Sequence, residues 1–422
     1  MTYELGFMGK KWDSSGIAYN VPMWKEMFRI TKPGGFLLCF GGTRTFHRLA
    51  CAIEDAGWEI RDCMMWLYGS GFPKSHNIGK AIDKLRGNKR EWISISPYKA
   101  SDEAERASEG KCQSGRTTHP DITKGQSEWE GYGTALKPAW EPILVCMKPK
   151  EGSFADNAEK YGVAGLNIEG GRIGTEIIPK QVRGKPDPRW RTAFEGGITE
   201  EHQGRWPANL ILDKEAGEML DEQSGKTPSS FRKNKGDGKG IGMFGVSGGN
   251  TQGHKDSGGA SRFFYCAKTS KRERNLGLEN KSGEKVNDGR QTPIDNPYQR
   301  GETIRTNTHP TVKPLALMKY LCTLLKMPSA EQIILDPFLG SGTTGMACKE
   351  LGINFIGIEK EPEYCEIAIR RIAAVEGIHP IPLHIDNIPA EVTKVIPHND
   401  ERRQSIIDAA AAACRKRRPQ NK

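Results

Sequence analysis

The stretch Ile333-Ile-Leu-Asp336-Pro337-Phe338-Leu339-Gly340-Ser341-Gly342-Thr343-Thr344 is what most limits how this chain can fold: an apolar run ends on a carboxylate and turns through glycines into a helix start. Such a pattern reads as strand, tight turn and helix, and the first turn of the helix leaves backbone N–H groups without intrahelical partners. Glycines at 340 and 342 omit the Cβ atoms that would hold a ligand off the backbone. Downstream, Asn354-Phe-Ile-Gly-Ile-Glu359 is a second apolar run ending in an acid. It lies near the spacing at which nucleotide-binding folds set a carboxylate on ribose hydroxyls. Together the two runs point to a nucleoside-containing ligand.

Spacing alone leaves alternatives. A phosphate-binding loop needs Gly-Lys-Ser/Thr after its spacer, and Gly342 is followed by Thr343 and Thr344 with no lysine, which excludes it. Gly340-Ser-Gly342-Thr-Thr-Gly345 also fits the dinucleotide spacing Gly-x-Gly-x-x-Gly, so the glycines do not separate a dinucleotide from another nucleoside cofactor. A strained turn with no ligand selects glycine equally well, and only the two flanking acids weigh against that reading.

The wording carries a resemblance. Asp336-Pro-Phe-Leu-Gly-Ser-Gly-Thr-Thr resembles the S-adenosylmethionine motif of DNA methyltransferases that modify exocyclic amino groups. Asn307-Thr-His309-Pro310-Thr311-Val312-Lys313-Pro314 is similar to the family's His-Pro-Thr-x-Lys-Pro element, and Glu359 to Arg371 to its acidic strand end and following helix. Phe7 to Asp13, Lys32 to Leu38 and Leu136 to Pro142 resemble segments of the family's catalytic half. The resemblance implies an S-adenosylmethionine pocket built by Asp336, Pro337, Phe338, Gly340, Ser341, Gly342, Thr343 and Glu359, closed by His309, Thr311 and Lys313, with no metal.

With the catalytic half first, the order matches the permuted, β-type arrangement. That implies an α/β, Rossmann-like methyltransferase fold: a mostly parallel seven-stranded sheet with an inserted target-recognition region. The expected division is 1–148 for the catalytic half, with a polar insertion near 86–135. Residues 149–300 follow as the recognition region, 301–375 as the cofactor half and 376–422 as an extension. Independent of resemblance, Gly35 to Phe40, Ile143 to Cys146, Ile333 to Leu335 and Phe355 to Ile358 are apolar runs without alternation, as suits strands buried on both faces.

One departure stands out. The family's tetrad, Asp/Asn/Ser-Pro-Pro-Tyr/Phe, ends a central strand directly before the segment matching Leu5 to Lys10, and the chain begins Met1-Thr2-Tyr3-Glu4. Tyr3 takes the aromatic position, while the acid and the two prolines have no counterpart. An exocyclic amine is a poor nucleophile because its lone pair is delocalised into the ring. The tetrad's acid and first carbonyl would accept the amine's hydrogens while the aromatic stacks on the flipped base. Losing one preorganised partner of this kind costs roughly a hundredfold to a thousandfold in rate. An empty central slot would also orphan two rows of backbone groups in a dry interior. The favoured expectation is a start assigned too late; the alternative is a shortened, inactive relative such as a decaying prophage copy.

Charge is consistent with a nucleic-acid partner. The net charge of the 422 residues is +10, yet residues 225–275 hold eleven Lys/Arg against three Asp/Glu, and residues 401–422 hold seven against two. A field concentrated in this way suits a surface that follows the phosphates of double-stranded DNA. Arg44 and Lys74 in loops, and Arg205, Arg262 and Lys268 among aromatics, are the expected DNA contacts, although lone basic residues are commonly just solvated and Phe263 to Ala267 reads equally well as a buried strand. The ten cysteines show no Cys-x-x-Cys pair and Cys39, Cys146 and Cys348 fall in apolar patterns, as in a reduced, cytoplasmic protein. No run reaches membrane-helix length. The reading is a site-specific DNA methyltransferase acting on adenine N6, or on cytosine N4, with a cognate restriction enzyme as a possible partner. A non-catalytic binder of cofactor and DNA, and methylation of RNA or protein, are the competing classes.

Overall fold

The computed structural model describes residues 15–69, 71, 75–94, 122–178, 181–182, 198–199, 201–228, 257–267, 271–279, 281–286 and 303–375. Tyr3, Lys74, Lys268 and the 376–422 extension lie outside these residues.

Seven core strands form among them: β1 (Phe36–Phe40), β2 (Glu59–Leu67), β3 (Trp140–Met147), β4 (Leu210–Asp213), β5 (Tyr265–Ala267), β6 (Ile333–Asp336) and β7 (Asn354–Gly357). The first five make one sheet in the order β1-β3-β2-β4-β5, and β6 pairs with β7 in a second, parallel ladder. β3 is the one reversed strand of the five: it runs antiparallel to β1 and to β2, while β2, β4 and β5 are parallel. The α/β, mostly parallel architecture therefore holds, but the single continuous sheet expected from sequence is divided five and two. β4 and β5, from the stretch expected to be a recognition region, are part of the main sheet.

Helices cover both faces. α1 (Val21–Ile30) starts where the Asn20 side chain accepts from the Met23 amide and Pro22 fits the first turn. With α2 (Phe46–Asp55) it packs on Leu37, Cys39, Leu144 and Cys146. Trp24 anchors this layer: its indole donates to Ala18 at 2.9 Å and its carbonyl accepts from the Trp58 indole at 3.2 Å. The opposite face carries Met64, Trp66, Ile143, Val145 and Ile211. These residues pack against Leu317, Tyr320, Leu321 and Leu324 of a long helix, Leu315–Leu325. Four further helices complete the numbering: α3 (Ile78–Arg86), α4 (Phe154–Tyr161) and α5 (Lys214–Ser224) precede that long helix, α6, and α7 (Thr343–Leu351) and α8 (Pro362–Ala373) follow it. α6 also bridges the two ladders, since Cys322 and Met318 join the cluster that α7 and α8 form over β6 and β7. The Tyr265 and Tyr320 rings stack at 3.9 Å, and the Tyr265 hydroxyl donates to the Ala316 carbonyl, fixing α6 on β5.

The expected polar insertion contains a built hub. Arg90 donates to Asp83 at 2.6 Å, to both Glu130 oxygens and to Thr123, tying α3 to the hairpin Glu91–Ser94/Ile122–Lys124. Asp83 is fully buried there, so its charge requires that guanidinium.

Candidate cofactor cradle

The turn between β6 and α7 is held by its own acids. Asp336, at the end of β6, accepts from the Phe338 amide at 3.0 Å and from the Thr344 hydroxyl at 2.6 Å, so one carboxylate fixes both the turn and the first helical turn. Glu359, just beyond β7, accepts from the Gly340 amide at 2.8 Å with one oxygen, and from the Lys360 and Glu361 amides with the other. The two acids thus lie at adjacent ends of a parallel pair and share one turn. Parallel pairing alone brings them together, because Asp336 and Gly357 are opposite in register.

The glycines are needed for a reason the sequence does not reveal. Gly340 and Gly342 have φ of 56° and 83°, the left-handed region in which a side chain is strained. A Cβ on Gly340 would come 2.7 Å from His309 Nε2, and one on Gly342 would come 2.9 Å from the Ala368 backbone. The close approach that glycine permits is therefore to the protein's own His309 and α8. This corrects the expectation that these two positions are kept bare for a ligand.

His309 is buried and neutral. Burial, reinforced by the nearby cations Arg274, Arg371 and Lys313, pushes its pKa down to about 3. The neutral ring accepts from the Thr311 amide on Nδ1 and stands edge-on to Tyr364 at 4.7 Å. Asn307 sets its backbone, accepting from the His309 amide, and Arg274 donates to the His309 carbonyl at 2.9 Å.

Lys313 forms an ion pair with Glu141 on β3 and sits 4.8 Å from the Phe40 ring centre and 5.3 Å from that of Trp66. The pair, with both side chains largely buried, spans the cofactor half and the catalytic half. Glu141, expected to bond backbone amides, thus meets an ammonium.

Arg371 was not singled out from sequence. It is fully buried in α8 and donates to the Ser341 carbonyl and hydroxyl at 2.5 and 2.9 Å, to Thr343 at 3.2 Å and to the Glu273 carbonyl at 3.2 Å. Burial, opposed by Glu273 and aided by Arg274, lowers its pKa to about 10. The only sequence signal was a basic residue on an otherwise apolar helix face.

Asp336, Pro337, Phe338, Gly340, Ser341, Thr343, Glu359, His309, Thr311 and Lys313 all line one cavity of about 1480 Å³. Gly342 stands behind it against α8. Among the expected DNA contacts, Arg44 is exposed in the turn after β1. Arg205 donates to Glu176 and to the Arg262 carbonyl, and Arg262 donates to the carbonyls of Gly258, Gly259 and Thr227. Both guanidiniums flank the Phe263 ring, at 4.9 and 4.4 Å. They hold the recognition segment together.

Comparison with known proteins places this geometry. A segment of 66 residues is 48% identical to the type II methyltransferase M2.DpnII of Streptococcus pneumoniae, and one of 64 residues is 47% identical to M2.LlaDCHI of Lactococcus lactis subsp. cremoris. These matches cover 16% and 15% of the chain, and it spans only 24% and 23% of those relatives' lengths. The crystal structure of an M1.HpyAVI–SAM complex aligns over 83% of the chain and 81% of its own at 15% identity, with a TM-score of 0.29. A family model described as DNA methylase matches residues 2–370, and the chain belongs to that family, the N6/N4 amino-methylating DNA methyltransferases.

Proposed function

We propose that the chain transfers a methyl group from S-adenosylmethionine to the exocyclic N6 of adenine in a specific sequence of double-stranded DNA, with cytosine N4 as the second choice of target. The observation that carries the reading is the pair of acids, Asp336 and Glu359, at the ends of two adjacent parallel strands around a left-handed glycine turn. Donor types suit the cofactor: Glu359 retains lone pairs for ribose hydroxyls, and Phe338, Ile358 and Tyr364 give the same cavity apolar walls for a purine. When bound, that cofactor supplies an electrophilic methyl on a sulfonium sulfur. The protein's own part is to hold Gly340 and Ser341 through Glu359 and Arg371, and to keep an uncharged imidazole at 309 away from a cationic sulfur.

On this reading Tyr3 stacks on the extruded base, and Arg44, Lys74, Arg205, Arg262 and Lys268 face DNA phosphates. Residues 149–300 supply target recognition, 1–148 and 301–375 the two halves of the core, and the protein works in the cytoplasm, with a restriction enzyme of the same specificity as a partner. Among the described residues no helix is long and apolar enough to cross a membrane.

The test is transfer of a labelled methyl group from the cofactor to double-stranded DNA, followed by digestion to nucleosides. Label in N6-methyladenine is expected, and label in N4-methylcytosine selects the second target. Label in RNA or protein alone, or none anywhere with cofactor bound, overturns the reading.

A further inference from the structure

β6 is anomalous for a strand between two helical layers. All four of its residues are only half-buried, whereas three of the four in its neighbour β7 are fully buried. β1 shows the same thing, with Cys39 alone fully buried. Both strands border the cavity of about 1480 Å³ that contains the cradle, and among the described residues each has a strand partner on one edge only.

Ladder periodicity says which backbone groups face the opening. The Ile358 amide donates to the Asp336 carbonyl, so on the alternation of a parallel pair Ile333 and Leu335 turn their N–H and C=O away from β7. On β1, Gly35 and Gly41 bond to Lys148 and Pro142 of the β3 side, so Phe36, Leu38 and Phe40 turn theirs away from β3. Two rows of donors and acceptors therefore border one space. One wall of that space is apolar from Trp24 and Met27 of α1, and the opposite wall from Met318, Leu321 and Leu325 of α6. Its volume exceeds the roughly 300–1,000 Å³ of an ordinary small-molecule pocket. A nucleoside cofactor or an aliphatic chain would leave both rows unpaired, at a cost of about 1–3 kcal/mol per buried group. Only an extended backbone satisfies both.

We infer that this slot accepts an extended polypeptide segment of four or five consecutive apolar residues, which pairs with β1 and β6 at once and joins the two ladders. Its length follows from β1 and β6, five and four residues long. Its side chains are apolar on both faces because both walls are, and a charge on either face would be buried without a partner. The end of the segment borders the Asp336–Gly340 turn, so occupancy completes a wall of the cofactor cradle. This coupling rests on the function proposed above; the strand slot itself does not.

The experiment uses the full chain and a fluorescein-labelled peptide, Lys-Lys-Leu-Ile-Val-Ile-Asn-Lys-Lys, titrated by fluorescence anisotropy with and without S-adenosylhomocysteine. Saturable binding is expected, weakened at least about tenfold when the two isoleucines are replaced by proline, which removes backbone donors while leaving an apolar segment. Peptide and nucleoside should each raise the other's affinity by one common factor, about tenfold, since linkage is reciprocal. A Met318→Trp variant, which fills the slot from α6, should lose the peptide. Equal binding of both peptides, or none, overturns the inference. So does peptide binding that appears only after deletion of residues 1–14, or only on dissociation of a dimer, because the slot then belongs to the chain's own terminus or to a second copy. Peptide binding without any nucleoside binding leaves the slot standing and defeats the proposed function instead; nucleoside binding indifferent to peptide does the reverse.

Discussion

Acid should unfold this protein through His309, by an amount the structure sets. The ring is buried beside Gly340, accepts from the Thr311 amide and titrates at about 3 against an ordinary 6.5. Because the folded value is the lower one, the unfolded chain takes up the extra proton between those limits. The contribution is complete above pH 6.5 and is lost progressively as pH falls toward 3. Each unit corresponds to about 1.4 kcal/mol, so moving from pH 7 to pH 5 removes about 2 kcal/mol through this residue alone. His309→Asn keeps an acceptor near Nδ1 and removes the titration. It also leaves a cavity against Tyr364, but that cost does not vary with pH. Urea denaturation of both proteins at pH 7 and pH 5 separates the two effects. The wild type should lose about 2 kcal/mol more than the variant across that interval. Equal losses would refute the reasoning, as would an NMR titration of the folded His309 ring with a midpoint near 6.5.

Gly340→Ala should cost about 1–3 kcal/mol in denaturant stability, through a φ of 56° and a 2.7 Å approach to His309, and a cost within error would show that the turn relaxes. Arg371→Met strands the Ser341 and Thr343 groups it now serves; a loss of about 2–4 kcal/mol is expected at the denaturation midpoint, and no change would mean the turn holds without α8. For the Lys313–Glu141 pair, Glu141→Gln and Lys313→Met should each destabilise by about 1–3 kcal/mol, with the double variant less destabilised than their sum; strict additivity would show that the charges do not interact. Arg90→Met should open α3 and the hairpin near Trp92 to limited proteolysis while the rest stays protected, and unchanged digestion would remove the hub's role.

Much of this arrangement could be read ahead of the structure where one signal sufficed. β1, β3, β6 and β7 were recognisable as unalternating apolar runs, and α1 and α2 as amphipathic ones, because burial imposes these patterns locally. Tyr265–Ala267 is the strand that Phe263 to Ala267 allowed. β4 was hidden, since Leu210–Asp213 is too short to show which sheet it joins. The tasks of Arg371, Arg90 and Glu141 were hidden because each depends on a partner far along the chain, Glu141 being 172 residues from Lys313. The glycine turn was found for a partly wrong reason: positive φ is legible from sequence, but the atoms pressed against Gly340 and Gly342 belong to His309 and α8. The division of the sheet follows from pairing and cannot be seen in any single segment.

The central claim is that the cradle holds S-adenosylmethionine through Glu359 and the Gly340 turn. Thermal denaturation with rising S-adenosylhomocysteine tests it most directly, comparing the wild type with Glu359→Ala. A midpoint that climbs with ligand in the wild type and stays flat in the variant is the expected result. No climb at any concentration, or an equal climb in both proteins, would contradict the account.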